Sequence, residues 1–123
     1  MKVPNFVNGV NTRGNMGLFK WMGYSAKKDG PNKEQRQAIL RRIWVTEFEP
    51  TGDNSQYIES FGLPSSRIRF IKMMHYLDGR WRDVENREGP NWAEVSNKYG
   101  SDHDWLIDTY GRSWDSSEGA WFE

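Results

Sequence analysis

The chain contains no cysteine among its 123 residues. This absence excludes disulfide bonds, thiolate-bound metals and cysteine nucleophiles, and it fits a reducing compartment. Long apolar runs are also missing: no stretch approaches the length of a membrane span, and no apolar segment follows a basic start at the N-terminus. We therefore expect a soluble, cytoplasmic protein with no membrane association.

Histidine is scarce, with two residues, and neither stands in a pattern typical of a catalytic or metal site. In "SDHDWLID", Asp104 and Asp108 have the i, i+4 spacing that shares a helix face, but Asp102 and His103 do not join them. Acidic residues at a helix start also complement the helix dipole without any chemistry. No paired nucleophile and base and no glycine-rich phosphate loop is visible. We expect no enzyme, no metal and no cofactor.

Aromatic residues are plentiful, with seven Trp, six Phe and five Tyr. One domain of this length can bury a core without covalent staples, and each aromatic side chain supplies a large buried area. No long alternating β pattern is present, so the fold class is mainly α, with about five short helices around one aromatic-rich core. We divide the chain into a flexible arm or small hairpin at residues 1–17, a helical domain at 18–111 and an acidic aromatic tail at 112–123.

Helix starts can be predicted from capping patterns, in which a short polar residue is followed three positions later by Gln or an acidic residue. The pairs are Asn32 with Gln35, Asp53 with Gln56, Asn91 with Glu94, and Ser101 with Asp104. A further helix is expected to open after Pro64, at Ser65 or Ser66, and a short helix or turn at residues 18–24. Because Gly-Pro-Asn occurs both at 30–32 and at 89–91, in basic and acidic surroundings, we interpret it as a helix start rather than a phosphate loop.

Helix ends are expected near Phe48, before Pro50, and at the glycines Gly62, Gly100 and Gly111. Gly79 is expected to end or bend its helix. The apolar residues Phe70, Met74, Leu77, Trp81 and Val84 alternate at spacings of four and three, which predicts a buried stripe on the helix after Pro64.

Basic residues crowd the first helix start and its helix: Lys27, Lys28, Lys33, Arg36, Arg41 and Arg42. Arg36 shares an arc with Leu40 and Ile43, so it is directed toward the edge of the core. It either lays its stem on the core and pairs with a carboxylate or a helix C-terminus, or forms a partly desolvated clamp for an anion.

A second basic group lies on the helix after Pro64, where Arg69, Lys72, Tyr76 and Arg80 follow one another at spacings of three and four on the face opposite the stripe. This row suits a nucleic-acid backbone, although a solvated helix face has the same pattern. The connection "FGLPSS" has the length and glycine of a helix-turn-helix, which would present Arg67 and Arg69 from the first turn of its second helix.

Net charge is zero, but the two parts of the chain differ. Residues 83–123 carry ten acidic and three basic side chains, whereas residues 1–82 carry fourteen basic and seven acidic ones. In the acidic part, Trp114, Trp121 and Phe122 lie in polar sequence, where aromatic side chains either anchor an interface or fold back on the core. The charge asymmetry indicates either a nucleic-acid surface or attraction between the two parts.

The segments "GYSAKKDGPNKEQRQAIL", "PSSRIRFIKMMHYLDG" and "HDWLIDTYG" together resemble small domains of bacterial and prophage proteins of unassigned function. The resemblance covers most of residues 18–111, and "Ser-Ala-Lys-Lys" departs from the glycine-containing version of the pattern. It implies a bacterial or phage origin, and it implies no activity and no site residue.

These observations favour a small non-enzymatic binding module that contacts DNA or RNA through its basic helical surfaces. The alternative is a protein-interaction or assembly module that uses the Trp-rich acidic part, with Trp114, Trp121 and Phe122 as its contacts.

Overall fold

The computed structural model describes residues 16–49, 55–87, 89–111, 114–115 and 120–121. Five helices follow in chain order: α1 (Met16–Trp21), α2 (Lys33–Val45), α3 (Ser55–Phe61), α4 (Arg67–Glu85) and α5 (Pro90–Tyr110). Two short strands, β1 (Trp114–Asp115) and β2 (Ala120–Trp121), pair antiparallel, with Trp114 opposite Trp121. The mainly helical fold class is confirmed. Residues 1–15 of the predicted arm or hairpin, and the predicted cap at Asp53, lie outside the described residues.

Local capping sets the start of α2 and of α4 as predicted. The Asn32 side chain accepts from the Gln35 amide at 2.8 Å, and the Gln35 side chain accepts from the Asn32 amide at 2.9 Å. Ser66 caps α4 by accepting from the Arg69 amide at 3.2 Å. Helix α3 ends before Gly62, whose φ of 86° lies in the left-handed region that glycine adopts without a Cβ clash.

The start of α5 corrects the predicted capping box at Asn91 and Glu94. Gly89, with a φ of 110°, is the N-cap, Pro90 opens the helix, and no side chain caps it. Proline suits this first position because its missing N–H would have no partner there. Asn91 therefore lies inside the helix rather than before it.

Glycines inside the two long helices do not end them. Helix α4 runs through Gly79, and α5 runs through Gly100 and Ser101 without interruption. The predicted cap at Ser101 and Asp104 is wrong, because the two short helices expected here are one helix of 21 residues. Asp102 is consequently a helix-interior residue, and its side chain is buried.

The core is aromatic-rich and is formed by residues of all five helices, with Leu18 and Phe19 contributed by α1 and Ile58 and Phe61 by α3. From the predicted α4 stripe, Phe70, Leu77 and Val84 are buried, whereas Met74 and Trp81 are half-buried. Met73 is buried in addition. Helix α2 ends at Val45 rather than near Phe48, and the extended residues after it carry Phe48 into the core.

Candidate interaction surface

Arg69 is the centre of a junction between α2, α3 and α4. One terminal nitrogen donates to the carbonyls of Ile43 at 3.2 Å and Trp44 at 3.3 Å, and also to that of Thr46. The other donates to the Gly62 carbonyl at 2.7 Å. These carbonyls lie where α2 and α3 end, and such groups lack partners within their own helix. A single guanidinium therefore fixes two helix ends against the first turn of α4.

Burial has an electrostatic consequence at this junction. Desolvation lowers the pKa of Arg69 to about 10, while the charge of Glu47 acts in the opposite direction. The guanidinium lies 5.3 Å from the Phe48 ring centroid and 5.0 Å from that of Phe61, so the cation contacts two aromatic rings. The prediction that Arg69 belongs to an exposed basic row is wrong, since the side chain is almost fully buried.

The connection between α3 and α4 is also held to α2. The Ser65 amide donates to the Trp44 carbonyl at 2.9 Å, and Ser65 itself has a φ of 55°. A non-glycine residue in this region costs about 1 kcal/mol or more and persists where neighbouring contacts define it. The junction is therefore a defined surface rather than a loose loop.

Three apolar side chains are exposed at this junction. Val45 is 57 % exposed, Leu63 74 % and Ile68 53 %. We group them because the Trp44 and Gly62 carbonyls, which precede Val45 and Leu63 in the chain, both accept from Arg69. A Cβ added at Gly62 would also come within 3.0 Å of the Ile68 side chain. We call Val45, Leu63 and Ile68 the junction patch.

Two exposed arginines flank the junction patch. Arg42 precedes Val45 by three residues on α2, a spacing that puts both on one helix face, and Arg67 precedes Ile68 in the first turn of α4. Within the part of the chain that the structure describes, neither forms an ion pair. The surface thus combines apolar area with two available cations.

The remaining members of the predicted α4 row do not form an open basic face. The Tyr76 ring stacks on Phe19 at 3.8 Å, and burial raises its pKa. Arg80 lies 3.6 Å from the Asp83 carboxylate and donates weakly to the Tyr99 hydroxyl at 3.4 Å. Lys72 is half-buried and takes part in a further interaction. The helix that was expected to present four side chains to a phosphate backbone uses most of them within the fold.

The predicted basic residues around α2 divide into exposed and buried members. Lys27, Lys28, Lys33, Arg41 and Arg42 are exposed. Arg41 lies over the Trp105 ring, 5.4 Å from its centroid. The Gly30–Pro31 turn and α2 border an open depression at Gln35, Ala38 and Ile39.

Arg36 belongs to a buried polar network. Its Nε donates to Asp102 Oδ2 at 2.7 Å, and a terminal nitrogen donates to the Pro31 carbonyl at 3.2 Å. The Tyr24 hydroxyl donates to the same Asp102 oxygen at 2.6 Å. Burial, followed by the Asp102 charge and this hydrogen bond, raises the pKa of Tyr24. Of the two alternatives for Arg36, a pairing with a carboxylate and a clamp for an anion, the structure therefore shows the first.

Sequence reasoning missed the junction patch, although two signals were present. Ile68 is an apolar residue outside the buried stripe of α4, and Leu63 is an apolar residue in a turn. Conversely, Arg69 precedes the buried Met73 by four residues, so it shares the buried face of the helix. Trp114 and Trp121 are described only as partners in the β1–β2 pair, and Phe122 lies outside the described residues.

Among the described residues, no group of three or more His, Asp or Glu side chains is placed to hold a metal ion. Over the same part of the chain, none of the helices combines the length and apolar character needed to cross a membrane. No protein family model, curated protein or solved structure matches this chain.

Proposed function

We propose that this chain is a small non-enzymatic binding module that docks a protein segment on the junction patch. The observation that carries the proposal is the exposure of Val45, Leu63 and Ile68 around the Arg69 junction. They are three of the five large apolar residues that are exposed among those whose burial is described. Contiguous exposed apolar surface is typical of interaction sites, whereas scattered single residues are not.

The chemistry of the surrounding residues defines the partner. Arg42 and Arg67 add positive charge at the edge of the apolar area, and arginine is enriched where interfaces gain most of their energy. A segment with bulky apolar side chains and acidic neighbours complements both features. The rigid junction around Arg69 lowers the ordering cost of binding because the surface is already formed.

The test is a selection of displayed random peptides against the full chain, followed by affinity measurements on variants. Leu63→Ser and Ile68→Ser should each weaken the selected peptides by about tenfold, as expected for contacts at the centre of an interface. Both side chains are exposed, so the fold should tolerate either change. Trp92→Ser, at another exposed apolar side chain, is the matched control and should leave the affinity unchanged.

If the selected peptides bind the unmodified chain and the three variants equally well, their binding site is not the junction patch, and the proposal is overturned. Enriched sequences should also be acidic, and Arg67→Glu should reduce their binding. A set of basic enriched peptides would contradict the proposed partner.

A second candidate function is nucleic-acid binding, and it is favoured by one arrangement. Helix α3 and α4 are joined by five residues that include Gly62, and Ser65 and Arg67 are exposed at the start of α4, as in a helix-turn-helix. DNA or RNA binding at low salt that is lost in Arg67→Glu but retained in Ile68→Ser would favour this candidate. Its affinity should fall with salt by a log–log slope of about −0.7 to −0.9 for each phosphate contact.

A further inference from the structure

One face of α2 is exposed along the length of the helix. Its members recur every three or four residues, a spacing that places them on one side of a helix: Glu34, Ala38, Arg41, Arg42 and Val45. The buried Leu40 and Ile43 lie on the side that faces the core. We call the five exposed residues the α2 outer face.

The charges of the α2 outer face are arranged so that the face complements itself. Glu34 lies four residues before Ala38, whereas Arg41 and Arg42 lie three and four residues after it. In an antiparallel pair of α2 helices with Ala38 opposite Ala38, Glu34 of each helix is therefore level with the two arginines of the other. A parallel pair would instead bring Glu34 beside Glu34. Opposite charges across an interface favour one register over others.

These charged groups are available for such a contact. Among the described residues, Glu34 and Arg42 form no ion pair. Arg41 lies over the Trp105 ring, 5.4 Å from its centroid, and its side chain is nevertheless exposed. A second copy would therefore supply Glu34 and Arg42 with ionic partners that the described part of the single chain does not provide.

The middle of the face allows another helix to approach closely. Ala38 carries only a methyl group and lines an open depression together with Pro31 and Ile39. Helices whose axes are about 8 Å apart need small side chains where they cross. Val45 and Pro31 each lie seven residues from Ala38, in opposite directions, so in the antiparallel pair Val45 of one copy meets Pro31 of the other. Apolar groups are thus level with each other in the same register that pairs the charges.

From this self-complementary pattern we infer that the α2 outer face is the contact between two copies of this chain. The copies pack antiparallel, with a two-fold axis at Ala38, so the same face serves both partners. The inference goes beyond the proposed function, and of the junction patch it uses Val45 alone. The two Val45 Cα atoms are fourteen helical steps apart, or about 21 Å, so the dimer carries one junction patch toward each end of the contact.

A contact between two short helices is smaller than a standard stable interface, so the dimer should dissociate on dilution. Sedimentation equilibrium of the unmodified chain should give an average mass that rises with concentration from one chain toward two. Leu63→Ser lies outside the α2 outer face and should leave this mass unchanged. A mass of one chain at every concentration up to about millimolar, where weak contacts associate, would overturn the inference.

Charge reversal tests the register. Glu34→Arg leaves only cations among the charges of the face, and Arg41→Glu with Arg42→Glu leaves only anions, so each variant should remain at the mass of one chain. An equimolar mixture of the two variants should associate again, because their faces are then opposite in charge. Variants that associate as strongly as the unmodified chain, or a mixture that does not associate, would contradict the antiparallel register.

The position of the axis can be tested with a disulfide, because the chain lacks cysteine. Ala38→Cys places one thiol of each copy beside its counterpart, so mild oxidation should link two chains covalently. Asn97→Cys, on an exposed position of α5, is the matched control and should link about tenfold more slowly or less, because its thiols are not held together. Equal rates would show that Ala38 does not lie at the axis.

The dimer and the proposed function can fail separately. If the unmodified chain is a monomer and its selected peptides still lose affinity in Leu63→Ser and Ile68→Ser, the junction patch stands and the dimer is overturned. If the chain dimerises through Ala38 and no selected peptide depends on Leu63 or Ile68, the dimer stands and the proposed function fails.

Discussion

At the residue scale, Arg36 and Arg69 are basic residues that stabilise the fold from inside instead of contacting a binding partner. Both are buried. Arg36 donates to Asp102, 66 residues away, and Arg69 donates to the Trp44 carbonyl, 25 residues away. Arg69 remains charged at neutral pH because burial lowers its pKa only to about 10, with the charge of Glu47 acting in the opposite direction. Its planar group reaches carbonyls of α2 and α3 together, which a single ammonium does not.

Replacing Arg69 by Lys should therefore destabilise the protein strongly. One nitrogen would replace two, and carbonyls near the ends of α2 and α3 would lose partners in a buried place, at a cost of about 2–4 kcal/mol in the free energy of unfolding. Urea unfolding measures this change. Arg67→Lys, two residues earlier and exposed, is the matched control and should stay within about 0.5 kcal/mol. Equal midpoints for the two variants would contradict the role of Arg69 as the junction's centre.

At the element scale, two glycines explain how α4 and α5 pack. Gly100, inside α5, lies against the Trp81 ring of α4: an added Cβ would meet Trp81 Cζ2 at 3.0 Å and Cε2 at 3.2 Å. The indole is held in place because Trp81 Nε1 donates to Ser96 Oγ at 3.1 Å. Gly79, inside α4, has no such neighbour within 4 Å. The first glycine permits close packing, whereas the second only lowers helix propensity.

The two alanine substitutions should therefore have opposite effects. Gly79→Ala should stabilise the protein by about 0.5–1 kcal/mol, the difference in helix propensity. Gly100→Ala should destabilise it by about 1–3 kcal/mol, because the crowded indole must move. Thermal or urea unfolding of both variants beside the unmodified chain provides the comparison. A stabilising Gly100→Ala would show that α5 does not approach Trp81 this closely.

At the scale of the whole molecule, the buried Arg36–Asp102 pair joins the basic part of the chain to the acidic part. Arg36 belongs to α2 and Asp102 to α5, and Tyr24 adds a third segment to the same carboxylate oxygen. Attraction between the two parts, one of the two interpretations of the charge asymmetry, thus has a structural counterpart inside the protein. The pair also specifies which side of α5 faces α2.

A double-mutant cycle should reveal this coupling. Arg36→Leu or Asp102→Leu alone leaves one buried charge unpaired, and each should cost about 3–5 kcal/mol. The double variant removes both charges, so its cost should be well below the sum of the two. Denaturant unfolding of the four proteins gives the coupling free energy. Additive costs would mean that the contact contributes no specific coupling.

The sequence by itself determined the helical class, the start of α2 at its capping box, the start of α4 to within Ser65 or Ser66, and the end of α3 at Gly62. Each of these depends on interactions among residues a few positions apart, which a sequence pattern contains. The capping patterns at Asn91 and Ser101 predicted helix starts that the structure does not have. A local sequence motif does not show whether tertiary packing continues a helix through it. Gly100 lies inside α5 and against Trp81, nineteen residues away, a contact that no local pattern contains.

The tertiary structure alone decided which surface is available for binding. The side of α4 that Arg69 faces is set by carbonyls 23 to 26 residues earlier in the chain, where α2 ends. Arg69 is buried, whereas Val45, Leu63 and Ile68 are exposed around the same junction, although they belong to three separate segments. A surface formed by residues distant in sequence has no local pattern, so the junction patch could emerge only from the packed fold.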